Sequence, residues 1–349
     1  MRKLPKRKLA LVGLAVILVV GAVVNVRFWT FDTKGQDIYY SWVEGSRILA
    51  GENPYARILT GNMQENEKYA TYFPVFYELS SLSQLAGLRA YEQWIAFWRV
   101  IFLVCDFVIA CLVFAVPYRR RLFALAVFAA AFWTFNRWTV HVSYVAHLDY
   151  VPLLLLLASL LLFERHRTTA LLLFSLSLGI KQIAVFLVPL YLIWVWQAAD
   201  RRHAVKQVVI AALLISSIPL ISSLPFFAWS TGGRALSGIE GFVKSIAFSA
   251  TRLPADHFGA ASVDGLLGWV GIPAKLPMLA LMILPLWLAW RRQVGKNAAV
   301  FLVMLVFVDF NSVMFVQYVT WVVPLLLLVL CDYVDLRQRV AAARGEVGL

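Results

Sequence analysis

Apolar residues run along this chain in long blocks broken only by brief polar interruptions, with no alternation of period two. Blocks that are apolar on every side belong to helices buried in a protein core or in a membrane. Their positions predict about ten spans, at 9–28, 93–116, 122–136, 148–163, 168–181, 183–197, 207–227, 274–290, 297–314 and 316–332. Several are shorter than the roughly 20 residues that a straight span requires. Two longer, more mixed segments lie between them, at about 29–92 and 228–273. In the first, "KGQDIYYSWVEGSRILAGENPY" places Asp37, Tyr40, Glu44, Arg47 and Gly51 at three- to four-residue spacing, as in a helix lying at an interface. Gly51 is placed to stop that helix, and Pro54 forces an extended exit.

Charge orients the pattern. The basic residues fall in packets: "MRKLPKRK", Arg119–Arg121, "ERHR", "DRRHAVK", "RRQVGK" and the C-terminal tail with Arg337, Arg339 and Arg344. These hold 19 of the 32 Lys and Arg, and alternate spans place all of them on one side. By the positive-inside rule that side is the cytoplasm, and both long loops are external. The stretch "YFPVFYELSSLSQLAGL" (72–88) then reads as a re-entrant or interfacial helix. A full span there would turn every later basic packet outward.

Composition supports the same class. The 349 residues are 61% hydrophobic, with a mean hydropathy of +0.76, against roughly 45–50% apolar in an average soluble domain. An all-α polytopic membrane protein, a single integral domain over 1–349, is expected. The net charge of +13 is packeted rather than patched, so nucleic acid is not an expected partner. Cys105, Cys111 and Cys331 lie in or at the end of apolar runs and imply no disulfide framework. No Asn-x-Ser/Thr sequon occurs, which leans against a eukaryotic luminal protein. "LALVGLAVILVVGAVV" reaches spanning length with no small-residue cleavage site after it, so it reads as a retained helix rather than a signal peptide.

No phosphate loop, GxGxxG, HExxH or CxxC pattern is present. Candidate chemistry therefore rests on polar residues at the outer ends of spans, where ionisable groups are costly. Asp32 and Asp37 in the first loop offer a general base, or else cap a helix and pair with Lys34. In "FNRWTVHVSYVAHLDY", Arg137, His141, His147 and Asp149 suit a phosphate; the alternative is an aromatic belt with a snorkelling Arg137 and Asp149 as helix cap. Lys181 and Gln182 interrupt "GIKQIAVFLVPLY", facing an anion or simply a loop. Asp309, Asn311, Gln317, Tyr318 and Trp321 bracket the last external turn, lining a cavity or bonding helix to helix; Tyr318 and Trp321 alone read as belt residues.

These stretches resemble the family of GPI mannosyltransferase I catalytic subunits and related bacterial polyprenol-phosphate-mannose-dependent mannosyltransferases. "QDIYYSWVEGSRILAGENPY" is similar to that family's first luminal loop: an acidic residue, an aromatic pair and a Gly-x-x-Pro-Tyr ending, here Asp37, Gly51, Pro54 and Tyr55. "YATYFPVFY", "HLDYVPLLLLLASLLLF", "LSLGIKQIAVFLVPLYL" and "FVDFNSVMFVQYVTWVVPLLLL" carry the remainder. The resemblance implies a GT-C type bundle acting on the extracytoplasmic face of a membrane, expected to be a prokaryotic inner (plasma) membrane. It further implies inverting transfer of a sugar, mannose by resemblance, from a polyprenyl-phosphate donor to a lipid, glycan or protein hydroxyl. Asp37 matches the base; Arg137, His141, His147, Asp149, Lys181, Gln182, Asn311, Gln317 and Tyr318 are the candidate substrate-binding residues. Gly35-Gln36 precede Asp37 where the family often has Asp-x-Asp, so no metal and no cofactor are expected.

The competing class is a lipid or solute transporter, which also needs intramembrane polar groups. Transporters commonly carry inverted repeats with paired broken helices, and only the Pro-containing segments 183–197 and 316–332 are candidates for such a pair. A third reading is a scaffold subunit of a larger membrane complex.

Overall fold

The computed structural model describes residues 5–61, 69–230, 232–251, 263–269, 271–311 and 315–344. Among them the regular structure is entirely helical. The first loop holds α2 (Asp37–Leu49) and α3 (Val75–Leu85), which follow α1 (Lys6–Arg27). A middle group follows: α4 (Tyr91–Arg119), α5 (Phe123–Phe135), α6 (Arg137–Tyr144), α7 (Tyr150–Leu162), α8 (Arg167–Ile180) and α9 (Val188–Ala198). The chain then continues through α10 (Ala204–Ala228), α11 (Ser237–Thr251) and α12 (Val263–Leu266). It closes with α13 (Leu276–Trp290), α14 (Lys296–Phe310) and α15 (Val316–Ala343).

Among the described residues, five helical stretches are long and apolar enough to cross a membrane: Lys6–Thr30, Tyr91–Arg119, Ala204–Ala228, Pro273–Trp290 and Val316–Ala343. Along α1, Val12, Val16, Val19 and Val23 are all exposed, as in a helix that meets lipid. The chain is thus a multi-pass membrane protein by the length and composition of its helices. The windows at 122–136, 148–163, 168–181 and 183–197 fold as apolar helices of 13, 13, 14 and 11 residues. At 1.5 Å per residue, 13 residues cover about 20 Å, short of the roughly 30 Å of hydrocarbon. Polar residues end two of them. Asn136 closes α5 and its side-chain oxygen accepts from the Trp138 and Thr139 amides to start α6, and Lys181 takes extended backbone at the end of α8. The stretch at 72–88 forms α3, of 11 residues.

The first loop is folded and locked in place. α2 ends as its sequence implies: Gly51 has φ +79°, its amide bonds Ile48 O, and the Glu52 amide reaches Arg47 O, a Schellman closure. α3 lies against α2 through Ser46 Oγ donating to Gln84 Oε1 at 2.8 Å and Gln84 Nε2 donating to the Trp42 carbonyl at 2.9 Å. Asn53 ties the following turn to the end of α10 by donating to the Phe226 and Trp229 carbonyls. Buried Tyr55 donates to the Tyr72 carbonyl at 2.7 Å, and Gly241 lets α11 close onto the backbone of Tyr55. At the far end of the bundle, Arg120 on the α4–α5 turn meets Asp332 at 2.7 Å, and Asn297 donates to the same carboxylate. One of the basic packets is thereby pinned to α14 and α15.

The close α2–α3 approach depends on Gly45. A Cβ there would sit 2.8 Å from Ser80 Cβ and 2.9 Å from Gln84 Nε2. Gly45→Ala is expected to cost about 1–3 kcal/mol, read as a lowered Tm of the purified protein. An unchanged Tm would mean that the two helices are not packed as described.

Candidate active site

α2 begins at Asp37, with Gln36 in extended backbone before it. That start places the carboxylate at the inner end of the first loop, where the α6–α7 turn meets it. His147 in that turn lies with Nε2 3.0 Å from Asp37 Oδ2. Its other nitrogen, Nδ1, is 2.5 Å from Asp149 Oδ2, a close ionic contact bent away from regular hydrogen-bond geometry. Asp149, wholly buried, also receives Lys181 Nζ at 2.7 Å and Trp321 Nε1 at 2.6 Å. Tyr72 completes the arrangement: its hydroxyl donates to Asp37 Oδ2 at 3.3 Å, and the Lys181 ammonium lies 5.1 Å from its ring centroid. Six residues from five separate stretches of chain meet here.

Local folding puts each group in place. α6 ends with Ala146 in the left-handed region, φ +52°, and the His147 amide returning to Val142 O. A non-glycine residue costs about 1–2 kcal/mol there, so backbone strain sits beside the histidine that bridges two carboxylates. Asp149 occupies the position before α7 but makes no side-chain cap, because its carboxylate is turned to Lys181, Trp321 and His147. That excludes the cap reading of Asp149. Trp321 is a second correction: it is fully buried and donates to Asp149, so it is no belt residue.

The ionic count explains how such a group of charges survives burial. Asp37 and Asp149 face the Lys181 ammonium and His147, whose protonated form makes the chain of contacts neutral overall. Buried charges persist only when paired and hydrogen-bonded in this way. Burial, and then the nearby Lys181, oppose protonation of His147, but Asp149 and Asp37 outweigh both and raise its pKa above the ordinary imidazole value. His141, half-buried on α6, moves the other way: burial, then the fields of His147 and Arg137, lower its pKa.

The remaining predicted residues have other partners. Gln182 Nε2 donates to the Thr71 carbonyl at 2.6 Å, bolting the segment that carries Tyr72, and its Oε1 is buried without a hydrogen-bond partner. Gln317 is buried on α15, one turn before Trp321. Tyr318 packs on Phe307 and Phe315, near enough to add to the field on Tyr72. Arg137 starts α6, exposed, its guanidinium 4.6 Å from the Trp138 ring. Asn311 accepts from Lys275 at 3.2 Å, and Asp309 is exposed. Asp32 lies apart from the cluster, accepting from the Lys34 amide. Tyr72 and Trp321 are the members that sequence reasoning did not place in the site. Tyr72 was legible only as part of an aromatic run, and Trp321 through its i,i+4 spacing from Gln317.

A family model described as "Mannosyltransferase (PIG-M)" matches residues 259–343. This agrees with the resemblance carried by the motifs and supports a mannosyltransferase. The matched stretch runs from the end of the second loop through α15, and it supplies Trp321 to the cluster. Comparison with curated proteins and with solved structures gives no match.

Because folded His147 holds its proton more tightly than the unfolded chain does, its contribution to stability has a defined sign. It is fully present below about pH 6.5, the ordinary imidazole value, and is lost as pH rises through the elevated value. The stability difference between wild type and His147→Asn, measured by thermal unfolding in detergent, should be largest below about pH 6.5 and shrink as pH rises from there through the elevated folded value. A difference that grows with pH would contradict the ionic assignment.

Proposed function

We propose that this protein is a GT-C type glycosyltransferase that moves mannose from a polyprenyl-phosphate carrier to an acceptor hydroxyl on the extracytoplasmic side of the membrane. The observation that carries the reading is the Asp37–His147–Asp149–Lys181 chain. It sets a partly accessible carboxylate, about 19% exposed, on top of a buried charged relay. The positive-inside pattern supports the sidedness, since Asp37 follows directly after the first span.

In this mechanism the acceptor hydroxyl docks against Asp37. Its proton passes to the carboxylate as its oxygen attacks the anomeric carbon. The carbon–oxygen bond to the phosphate breaks on the opposite face, and the electron pair leaves with the polyprenyl phosphate, inverting the anomeric centre. His147 holds Asp37 at one oxygen, fixing its rotamer. Asp149, Lys181 and Trp321 fix His147 in turn, and Tyr72 orients Asp37 from above. Lys181 is engaged with Asp149, so charge developing on the leaving phosphate falls to the Arg137 guanidinium, with His141 on α6 as a neutral hydrogen-bond donor. A held cation at a developing anion is commonly among the larger catalytic contributions. Gln182 Oε1, buried without a hydrogen-bond partner, would accept from a sugar hydroxyl in this reading. No soluble nucleotide is needed, in keeping with the missing phosphate loops.

Asp37→Asn, in protein confirmed as folded in detergent, should lower turnover with a polyprenyl-phosphate mannose donor by about 100- to 10,000-fold, the usual range for loss of a general base. His147→Gln should lower turnover less and displace the pH–rate profile. Wild-type turnover in Asp37→Asn would remove Asp37 as base. Movement of lipid across reconstituted vesicles without a new glycosidic product would favour the transporter class instead.

A further inference from the structure

Away from the Asp37 cluster, a cleft of about 320 Å³ opens where the end of α1 and the loop behind it meet the first turns of α4. Trp29 and Ile95 form apolar walls, Asp32, Lys34 and Glu92 are exposed charges along it, and Arg99 is a buried charge in its lining. Arg99 is only 5% exposed. Its Nη1 donates to the Phe28 carbonyl at 2.9 Å and its Nη2 to the Phe31 carbonyl at 3.1 Å. Nε is buried with no hydrogen-bond partner, and among the described residues no carboxylate lies within ion-pair distance of this guanidinium. Two carbonyls satisfy donors but supply no countercharge, and a buried cation without one is costly. The unused donor and the unbalanced charge both point to an anion in the cleft.

The charges in the cleft are layered along α4. Glu92 stands in the first turn and Arg99 seven residues further in, about 10 Å along the axis at 1.5 Å per residue. The gap between the charged groups is shorter, because a helical side chain leans back toward the helix N-terminus. Past Arg99 the same helix exposes Val100 and Val104, with Val19, Val23 and Val26 exposed on α1. From the helix end inward the order along α4 is carboxylate, then guanidinium, then hydrocarbon. Asp32 and Glu92 against Lys34 and Arg99 sum to zero formal charge. A net anionic headgroup would therefore sit unbalanced beside two carboxylates, whereas a neutral zwitterion matches both layers. The Lys34–Glu92 pair, 3.4 Å apart with both groups exposed, is too weak to hold the cleft shut.

We propose that this cleft binds the headgroup of a phospholipid bearing a primary ammonium, of the phosphatidylethanolamine type. The phosphate meets Arg99, the ammonium meets Asp32 and Glu92, and the acyl chains lie along the exposed apolar faces of α4 and α1. The site is separate from the Asp37 cluster and stands whether or not the proposed transfer reaction is correct.

The test is native mass spectrometry of the full chain in detergent, equilibrated with equimolar phosphatidylethanolamine and phosphatidylglycerol of matched acyl chains. Wild type should retain the ethanolamine lipid about fivefold over the glycerol lipid, the ceiling for an exposed ionic contact. Asp32→Asn combined with Glu92→Gln alters only exposed side chains and should abolish that preference. Arg99→Gln should reduce retention of both lipids. Equal retention by wild type, or an undiminished preference in the Asp32→Asn/Glu92→Gln chain, would overturn the proposal. Displacement of the ethanolamine lipid by millimolar inorganic phosphate would also overturn it, by assigning Arg99 to a soluble anion.

Discussion

A carboxylate with no exposed surface, set inside a chain that is 61% hydrophobic, is the constraint from which the rest follows. Asp149 is tolerable there only because Lys181, His147 and Trp321 converge on it. Each of those partners fixes a different part of the fold. Lys181 ends α8, Trp321 anchors the first turns of α15, and His147 turns the chain between α6 and α7. Through His147 the same network reaches Asp37 at the start of α2, so the first loop is registered against the bundle by charge as well as by packing. Removing one partner of such a network leaves a buried charge unanswered, which costs far more than the pair contributes to stability.

The polar loop in an otherwise greasy chain now has a physical role. α2 and α3 are clamped by Gly45, Ser46 and Gln84, and the turn after them is tied down by Asn53 and Tyr55. That platform holds Asp37 and Tyr72 over the buried relay. The short apolar helices α7 and α8 meet at the relay, α7 starting after Asp149 and α8 ending before Lys181. Function in this reading requires the interruption: a bundle of uninterrupted spans would have nowhere to bring Asp149 and Lys181 together.

Much of this was legible in the sequence, for local reasons. The start of α2 near Asp37 and its stop at Gly51 follow from spacing and from glycine's access to positive φ. Asp37, His147, Asp149 and Lys181 stand out because ionisable groups beside apolar runs are costly. Their mutual contacts were not legible, since more than a hundred residues separate Asp37 from His147 and a single sequence carries no distances. The sequence reading met Lys181 as a cation awaiting an outside anion, whereas its anion is Asp149, within the chain. Trp321 was hidden for a related reason: a tryptophan near a span end is usually an interfacial anchor, and only its burial against Asp149 distinguishes it. The expected ten spans came from hydropathy windows. Among the described residues five helices are long and apolar enough to cross, and the windows over α5, α7, α8 and α9 hold shorter apolar helices. Hydropathy registers apolar length but not where a helix ends.

The most direct test of the buried network is a double-mutant cycle on Asp149 and Lys181, measured as unfolding free energy in detergent. Lys181→Met alone should cost about 3–5 kcal/mol, the price of an uncompensated buried carboxylate, and Asp149→Asn with Lys181→Met should recover a large part of that loss. Additive losses from the two changes would show that the charges do not depend on one another and would contradict the account.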